Sequence, residues 1–211
     1  MPVFTPPVRG AFGSEFHTIV RAAAKTNEFR AASVYGIDSS CLPVDPPRNP
    51  ITDPVELSVA REENVPVECS TWPARLLYVP KEHAENVTFN SRVLDVTRNA
   101  RSQGTEIPVV RSAEIKHRRI VLLNVPVVSR FRNTLRIYSS LQKPIAVRVT
   151  IRNQERFVQL QPGRTIFEPS IAILTDFPSF SDVPPDQSTV RLTIDLPLPE
   201  TLIWAMITVT K

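Results

Sequence analysis

Phe131-Arg132-Asn133-Thr134-Leu135-Arg136-Ile137-Tyr138 and, after a short break, Ile145-Ala146-Val147-Arg148-Val149-Thr150-Ile151-Arg152 alternate apolar and polar side chains at a period of two. Successive side chains of an extended chain point to opposite faces, so this period puts Leu135, Ile137, Val147 and Val149 on one buried side and the arginines and threonines on the other. With a turn at Ser140 to Lys143 and residue 139 facing 145, the two runs read as an antiparallel hairpin. That register sets Arg136 opposite Arg148 and Arg132 opposite Arg152, so four guanidiniums share one outward face. Like charges directly opposite destabilise a strand pair. Compensation is then expected from a neighbouring carboxylate such as Asp195 or from a bound anion, whose oxygens suit the bidentate fork of arginine. Arg132, Arg136, Arg148 and Arg152 are therefore the candidate anion-binding residues.

The same pattern extends outward in both directions. Strands are expected at Thr18 to Lys25, Ala31 to Ile37, Pro54 to Ala60, Ala74 to Val79, Val87 to Arg98, Thr105 to Arg111 and Arg118 to Asn124. Beyond the central pair they are expected at Arg156 to Gln161, Ser170 to Thr175, Ser188 to Leu196 and Thr201 to Thr210. Within Val87 to Arg98 the apolar phase switches, which predicts a bulge near Ser91 or Arg92. Thr201 to Thr210 is apolar on both faces and is expected to be central or covered. Val (25), Ile (15) and Thr (17) total 57 of 211 residues, 27%, and β-branched types of this kind favour strands. The fold class that follows is all-β, an antiparallel β-sandwich with Pro-marked corners.

Phe16-His17-Thr18-Ile19-Val20-Arg21 resembles Phe131-Arg132-Asn133-Thr134-Leu135-Arg136 apart from one inserted residue. This faint repeat divides the chain into a sandwich over residues 1–127, carrying a Pro-rich loop bounded by cysteines, and an immunoglobulin-like sandwich over residues 128–211. A single large sandwich spanning that line keeps the same fold class.

Composition removes several functions. The five glycines never form GxGxxG or GxxxxGK[ST], so no nucleotide cofactor is expected. The three histidines, His17, His83 and His117, are isolated; there is no HExxH, no CxxC and no GxSxG, so neither a zinc site nor a hydrolase elbow is read. Asp176, Asp182 and Asp186 cluster in one loop, but their spacing matches no EF-hand. No catalytic residue, metal or cofactor is assigned, and a hydrolase accessory domain is kept only because distant carboxylates can meet in three dimensions. A formal net charge of +4 with few aromatics among the basic groups argues against nucleic acid. No run approaches the 18 to 20 apolar residues of a membrane helix, so no membrane span is expected.

Cys41 and Cys69 flank a loop containing Pro43, Pro46, Pro47, Pro50 and Pro54, and an even cysteine count in a β-rich chain predicts a disulfide between them. Trp72, in the loop Ser70-Thr71-Trp72-Pro73, is the candidate platform for stacking a sugar ring. Trp204 lies in the doubly apolar strand and is read as core. The sequon Asn86-Val87-Thr88 is a lone match of low specificity. Met1 to Arg9 has neither the basic nor the apolar region of a signal peptide. The chain stops within an apolar run, as a segment of a longer multidomain protein would.

Gly104-Thr105-Glu106-Ile107-Pro108-Val109-Val110-Arg111, then Leu122-Leu123-Asn124-Val125-Pro126 and Phe131-Arg132, together with the closing Trp204-Ala205-Met206-Ile207-Thr208-Val209-Thr210, resemble uncharacterised bacterial secreted proteins with immunoglobulin-like β-sandwich modules. The resemblance covers about the last half of the chain. It implies an extracellular or periplasmic sandwich and transfers no functional residue. The Cys, Trp, Cys spacing of antibody domains is missing, since Trp72 follows Cys69. The expected function is a non-enzymatic extracellular module with a structural or adhesive role, contacting a protein or polysaccharide surface. The alternative is a carbohydrate-binding module for anionic or neutral glycans.

Overall fold

The computed structural model describes residues 8–9, 13–25, 63–64, 72–97, 104–115, 119–163, 168–178, 188–196 and 203–210. The chain forms two compact units, Met1–Val110 with Thr165–Glu168, and Arg111–Arg164 with Pro169–Lys211. The described structure is β throughout, apart from 3-10 turns at Lys81–Asn86 and Ser112–Glu114.

In the first unit, β1 (Val8–Arg9), β2 (Glu15–Ala24), β3 (Glu63–Asn64), β4 (Val87–Asp95) and β5 (Thr105–Glu106) make one antiparallel sheet. Its backbone is the β2–β4 ladder, which runs unbroken from Phe16↔Asp95 to Ala24↔Val87. Period-two alternation places Val20, Ala22 and Ala24 on the buried side, and Val87 and Ser91 opposite them are also sealed. The bulge expected near Ser91 is absent, because buried Ser91 stays in phase and supplies an inward position that reads as polar in the sequence. Gly104 enters β5 at φ 65°, and a Cβ there would lie 2.5 Å from the Val93 carbonyl oxygen, so only glycine fits. Ala74 to Val79 forms no ladder strand. The segments Ala31 to Ile37 and Pro54 to Ala60 lie outside the described residues.

Among the described residues the second unit holds seven strands: β6 (Arg119–Pro126), β7 (Arg132–Ser139), β8 (Ile145–Ile151), β9 (Gln154–Leu160), β10 (Ser170–Thr175), β11 (Thr189–Asp195) and β12 (Ile203–Thr210). They form a three-stranded sheet in the order β10-β7-β12 and a four-stranded sheet in the order β6-β11-β8-β9, all antiparallel. One hydrophobic core takes Leu135, Ile137, Ile203 and Ala205 from the first sheet and Val147, Val149, Leu192 and Ile194 from the second. Each such side chain, fully buried, contributes roughly 1.5–3 kcal/mol relative to exposure, which is why the alternation read from the sequence survives in the fold.

Strand positions agree with the sequence reading; the pairing of the central two does not. β7 hydrogen-bonds β10 and β12, whereas β8 hydrogen-bonds β9 and β11. Residues 140–144 therefore carry the chain from one sheet to the other, and the sequential hairpin is β8–β9, closed by Arg152–Asn153 with Arg152 at φ 54°. The connection holds because Ser170 Oγ donates to the carbonyls of Leu141 and Lys143. β6 pairs with β11, so a boundary at 127/128 would cut this strand from its sheet. The sheet's irregularity is here, between Leu122 and Val125, where Asn124 adopts φ 54°, a conformation asparagine tolerates better than most residues. β12 lies at the edge of its sheet, not at the centre. Lettered A to G in chain order, the sheets are E-B-G and A-F-C-D. The immunoglobulin constant arrangement is ABED and CFG, so here the first and last strands have exchanged sheets and the fourth strand lies beside the third.

Candidate anion-binding surface

The outer face of β6-β11-β8-β9 is read directly from the register. One row is Arg119, Asp195, Arg148 and Phe157, and the next is Val121, Thr193, Thr150 and Glu155. The β11–β8 ladder ends at Leu192↔Ile151, and Arg191 and Arg152, just beyond that end, line one depression.

The first row is electrostatically closed. Asp195 Oδ1 accepts from Arg119 Nε at 2.5 Å, and its Oδ2 lies 3.5 Å from Arg148 Nη2. Arg148 Nη1 is also 3.4 Å from Glu155 Oε1. The hydrogen bond and charge of Asp195 raise the pKa of the Arg119 guanidinium. The carboxylate expected to compensate the arginines is thus Asp195, acting on Arg148 and Arg119.

The Arg152 and Arg191 position is open. Among the described residues, neither side chain has an ion pair or a hydrogen bond. Together with Thr150, Thr189, Val190 and Thr193 they line a depression of about 450 Å³. Two guanidinium side chains and three hydroxyls line it, with no carboxylate among the described lining residues. Like charges across strands cost roughly 0.2–1 kcal/mol of pairing, and a tetrahedral oxyanion that took donors from both arginines would remove that cost.

The predicted four-arginine column does not form. Arg132 and Arg136 lie on the three-stranded sheet and Arg148 and Arg152 on the four-stranded one, because β7 and β8 do not pair. Arg132 pairs with Asp176 at 3.4 Å, and Arg136 Nη1 donates to Thr208 Oγ1. Arg152 alone among the four reaches the open depression, and its companion Arg191 was not singled out from the sequence. The legible signal was the outward phase of Thr189, Arg191, Thr193 and Asp195.

Trp72 is half-buried in an irregular segment of the first unit. Trp204 is not core: it points out of the sandwich and packs on Tyr138, ring centroids 5.5 Å apart. Cys41, Cys69, His117, Asp182 and Asp186 lie outside the described residues. Asp176 is exposed, and no group of three or more metal-ligating side chains occurs among the described residues. His17 Nε2 is 2.7 Å from Glu15 Oε1. No helix among the described residues is long and apolar enough to cross a membrane.

Arg75 and Glu168 form a second charged pair, 3.9 Å apart, in the first unit. Arg75 is fully buried and Glu168 is 5% exposed, so no ligand reaches them and their role is structural. No known protein family matches the chain, and neither a curated protein nor a solved structure does.

Proposed function

We propose that this chain is a non-enzymatic binding module of an exported protein, with a two-sheet β-sandwich as its second unit, and that it holds an anionic polysaccharide against its four-stranded sheet. The observation that carries the reading is that Arg152 and Arg191 line one hydroxyl-bearing depression with no carboxylate among its described lining residues. Sulfate and uronate groups on an extended polymer match such a shallow, multi-donor site, and repeated weak contacts along a chain add through effective concentration. A polysaccharide is favoured over nucleic acid because none of the described residues lining the depression is aromatic, as base stacking would need. An extracellular or periplasmic setting agrees with the resemblance of the second half of the chain and with a Cys41–Cys69 bridge. Thiol labelling before and after reduction tests that bridge, and free reaction of both thiols without reduction would remove the support.

The decisive experiment is binding of the chain to a sulfated glycosaminoglycan and to a polyuronate across a salt series, against a neutral glucan. Retention should fall as salt rises and drop about tenfold in the Arg152→Ala/Arg191→Ala double variant, equivalent to about 1.4 kcal/mol. Equal binding by wild type and double variant, or preference for the neutral glucan, overturns the reading.

A further inference from the structure

The outer face of the four-stranded sheet carries an exposed ring as well as the depression. Val158 and Leu160 of β9 turn inward to the core, so Glu155, Phe157 and Gln159 turn outward, and Phe157 stands opposite Arg148 of β8. Phe157 is 74% exposed, the most open large apolar side chain among the described residues. A single exposed apolar side chain is ordinary on a protein surface. What sets this one apart is that its nearest outward neighbours by register are polar: Arg148 across the ladder, and Glu155 and Gln159 along the strand.

Arg148 is itself held, by Asp195 at 3.5 Å and by Glu155 at 3.4 Å. An apolar ring with hydrogen-bonding groups at its rim suits a pyranose, whose C–H face needs an apolar plane and whose hydroxyls need donors and acceptors at its edge. A docked protein segment would instead want apolar neighbours around the ring, as at the centre of a desolvated interface, and none of the three is apolar.

The ring and the depression lie along one strand direction. Arg152 follows Arg148 by four residues, which separates their backbones by about 13 Å at the rise of an extended chain. Thr150 and Thr193 stand in the outward row between them. The charges at the two ends differ. Around the ring, Arg119, Asp195, Arg148 and Glu155 cancel in pairs, whereas Arg152 and Arg191 line the depression with no carboxylate among its described lining residues. One pyranose cannot bridge the two anchors, and only the depression attracts an acid.

We infer that the polysaccharide runs along β8 from the depression to Phe157, with an acidic residue at Arg152 and Arg191 and an uncharged pyranose of the same chain stacked on Phe157. The ligand class is then a polymer that alternates acidic with uncharged rings. The assignment rests on the depression taking the acidic group, as proposed above.

The test is titration of the whole chain with hyaluronan fragments, which alternate a uronate with an uncharged ring, and with oligogalacturonates of equal length, in which every ring is charged. A hyaluronan octasaccharide should bind more tightly than its oligogalacturonate counterpart. Phe157→Ala should weaken octasaccharide binding about tenfold, the order expected when the apolar face of a phenyl ring loses its cover. Phe157→Trp should bind like the wild type and Phe157→Leu like Phe157→Ala, since stacking needs a ring. Circular dichroism spectra should be unchanged, because the side chain lies outside the core. Salt should weaken binding as steeply in Phe157→Ala as in the wild type, since the ring carries no charge. Unchanged octasaccharide binding in Phe157→Ala, full binding in Phe157→Leu, preference for the oligogalacturonate, or binding of sulfated polymers but of no hyaluronan fragment overturns the inference. The depression keeps its role in each of those cases if binding still needs Arg152 and Arg191. Failure of every acidic polymer to bind the wild type removes that role and the inference with it.

Discussion

Replacing Arg75 by methionine should destabilise the first unit far more than replacing both Arg75 and Glu168 by apolar residues. The two charges lie 3.9 Å apart, with both side chains sealed from water and Arg75 Nη1 also donating to the Ala74 carbonyl at 2.6 Å. At an effective dielectric of about 20, two unit charges at that distance attract by about 4 kcal/mol. Desolvation opposes this. Burial lowers the Arg75 pKa from 12.5 to about 10, outweighing the charge of Glu168, which raises it. At 1.36 kcal/mol per pKa unit, the fold disfavours the cation by about 3 kcal/mol even with its partner present. The sign follows: the folded value is below the unfolded one, so the unfolded chain binds more protons above about pH 10, and this contribution to stability rises with pH there. At neutral pH the pair is therefore net unfavourable, and its replacement as a pair by well-packed apolar residues should be neutral or stabilise by about 1–4 kcal/mol. Arg75→Met alone takes the cation away from the buried Glu168 carboxylate and should cost about 3–5 kcal/mol. Urea unfolding of wild type, Arg75→Met, Glu168→Leu and the double variant at pH 7 measures each term. A deficit below about 1 kcal/mol for Arg75→Met, or one equal to that of the double variant, refutes this account.

Three further outcomes are expected. Asp195→Asn should release Arg119 and Arg148 and move elution from a sulfated resin to higher salt; earlier elution would show that the first row supports the site only as it stands, neutralised. Gly104→Ala should lower the unfolding free energy by about 1–3 kcal/mol, because φ is 65° and the added Cβ meets the Val93 carbonyl oxygen; an unchanged urea midpoint would contradict the close approach. Leu192→Ala, at a fully buried position between the two sheets, should cost about 2–5 kcal/mol, and a loss under 1 kcal/mol in urea titration would place that side chain outside the core.

The anion surface was partly legible. Arg152 and the compensating Asp195 stand out in the sequence because outward arginines on facing strands demand a counter-charge. Arg191 did not, since its significance depends on β11 lying beside β8, a pairing of residues more than forty apart in the chain. Trp204 was misread for a related reason: an apolar side chain on the outward phase of a strand is indistinguishable in sequence from one covered by a second sheet.

Strand identity and facing were set locally, by alternation, β-branching and turn residues, and these needed no knowledge of the fold. Leu135, Ile137, Val147, Val149, Leu192 and Ile194 are buried as their phase requires. Which strand lies beside which was decided only in three dimensions. Period two states which side chains go inward but is silent on whether a turn returns the chain within its sheet or carries it across to the other. Both outcomes bury the same residues and satisfy the same backbone groups. The choice at residues 140–144 turns on contacts such as Ser170 with the carbonyls of Leu141 and Lys143. That choice separates Arg136 from Arg148 and joins Arg152 to Arg191, which gives each sheet its own surface.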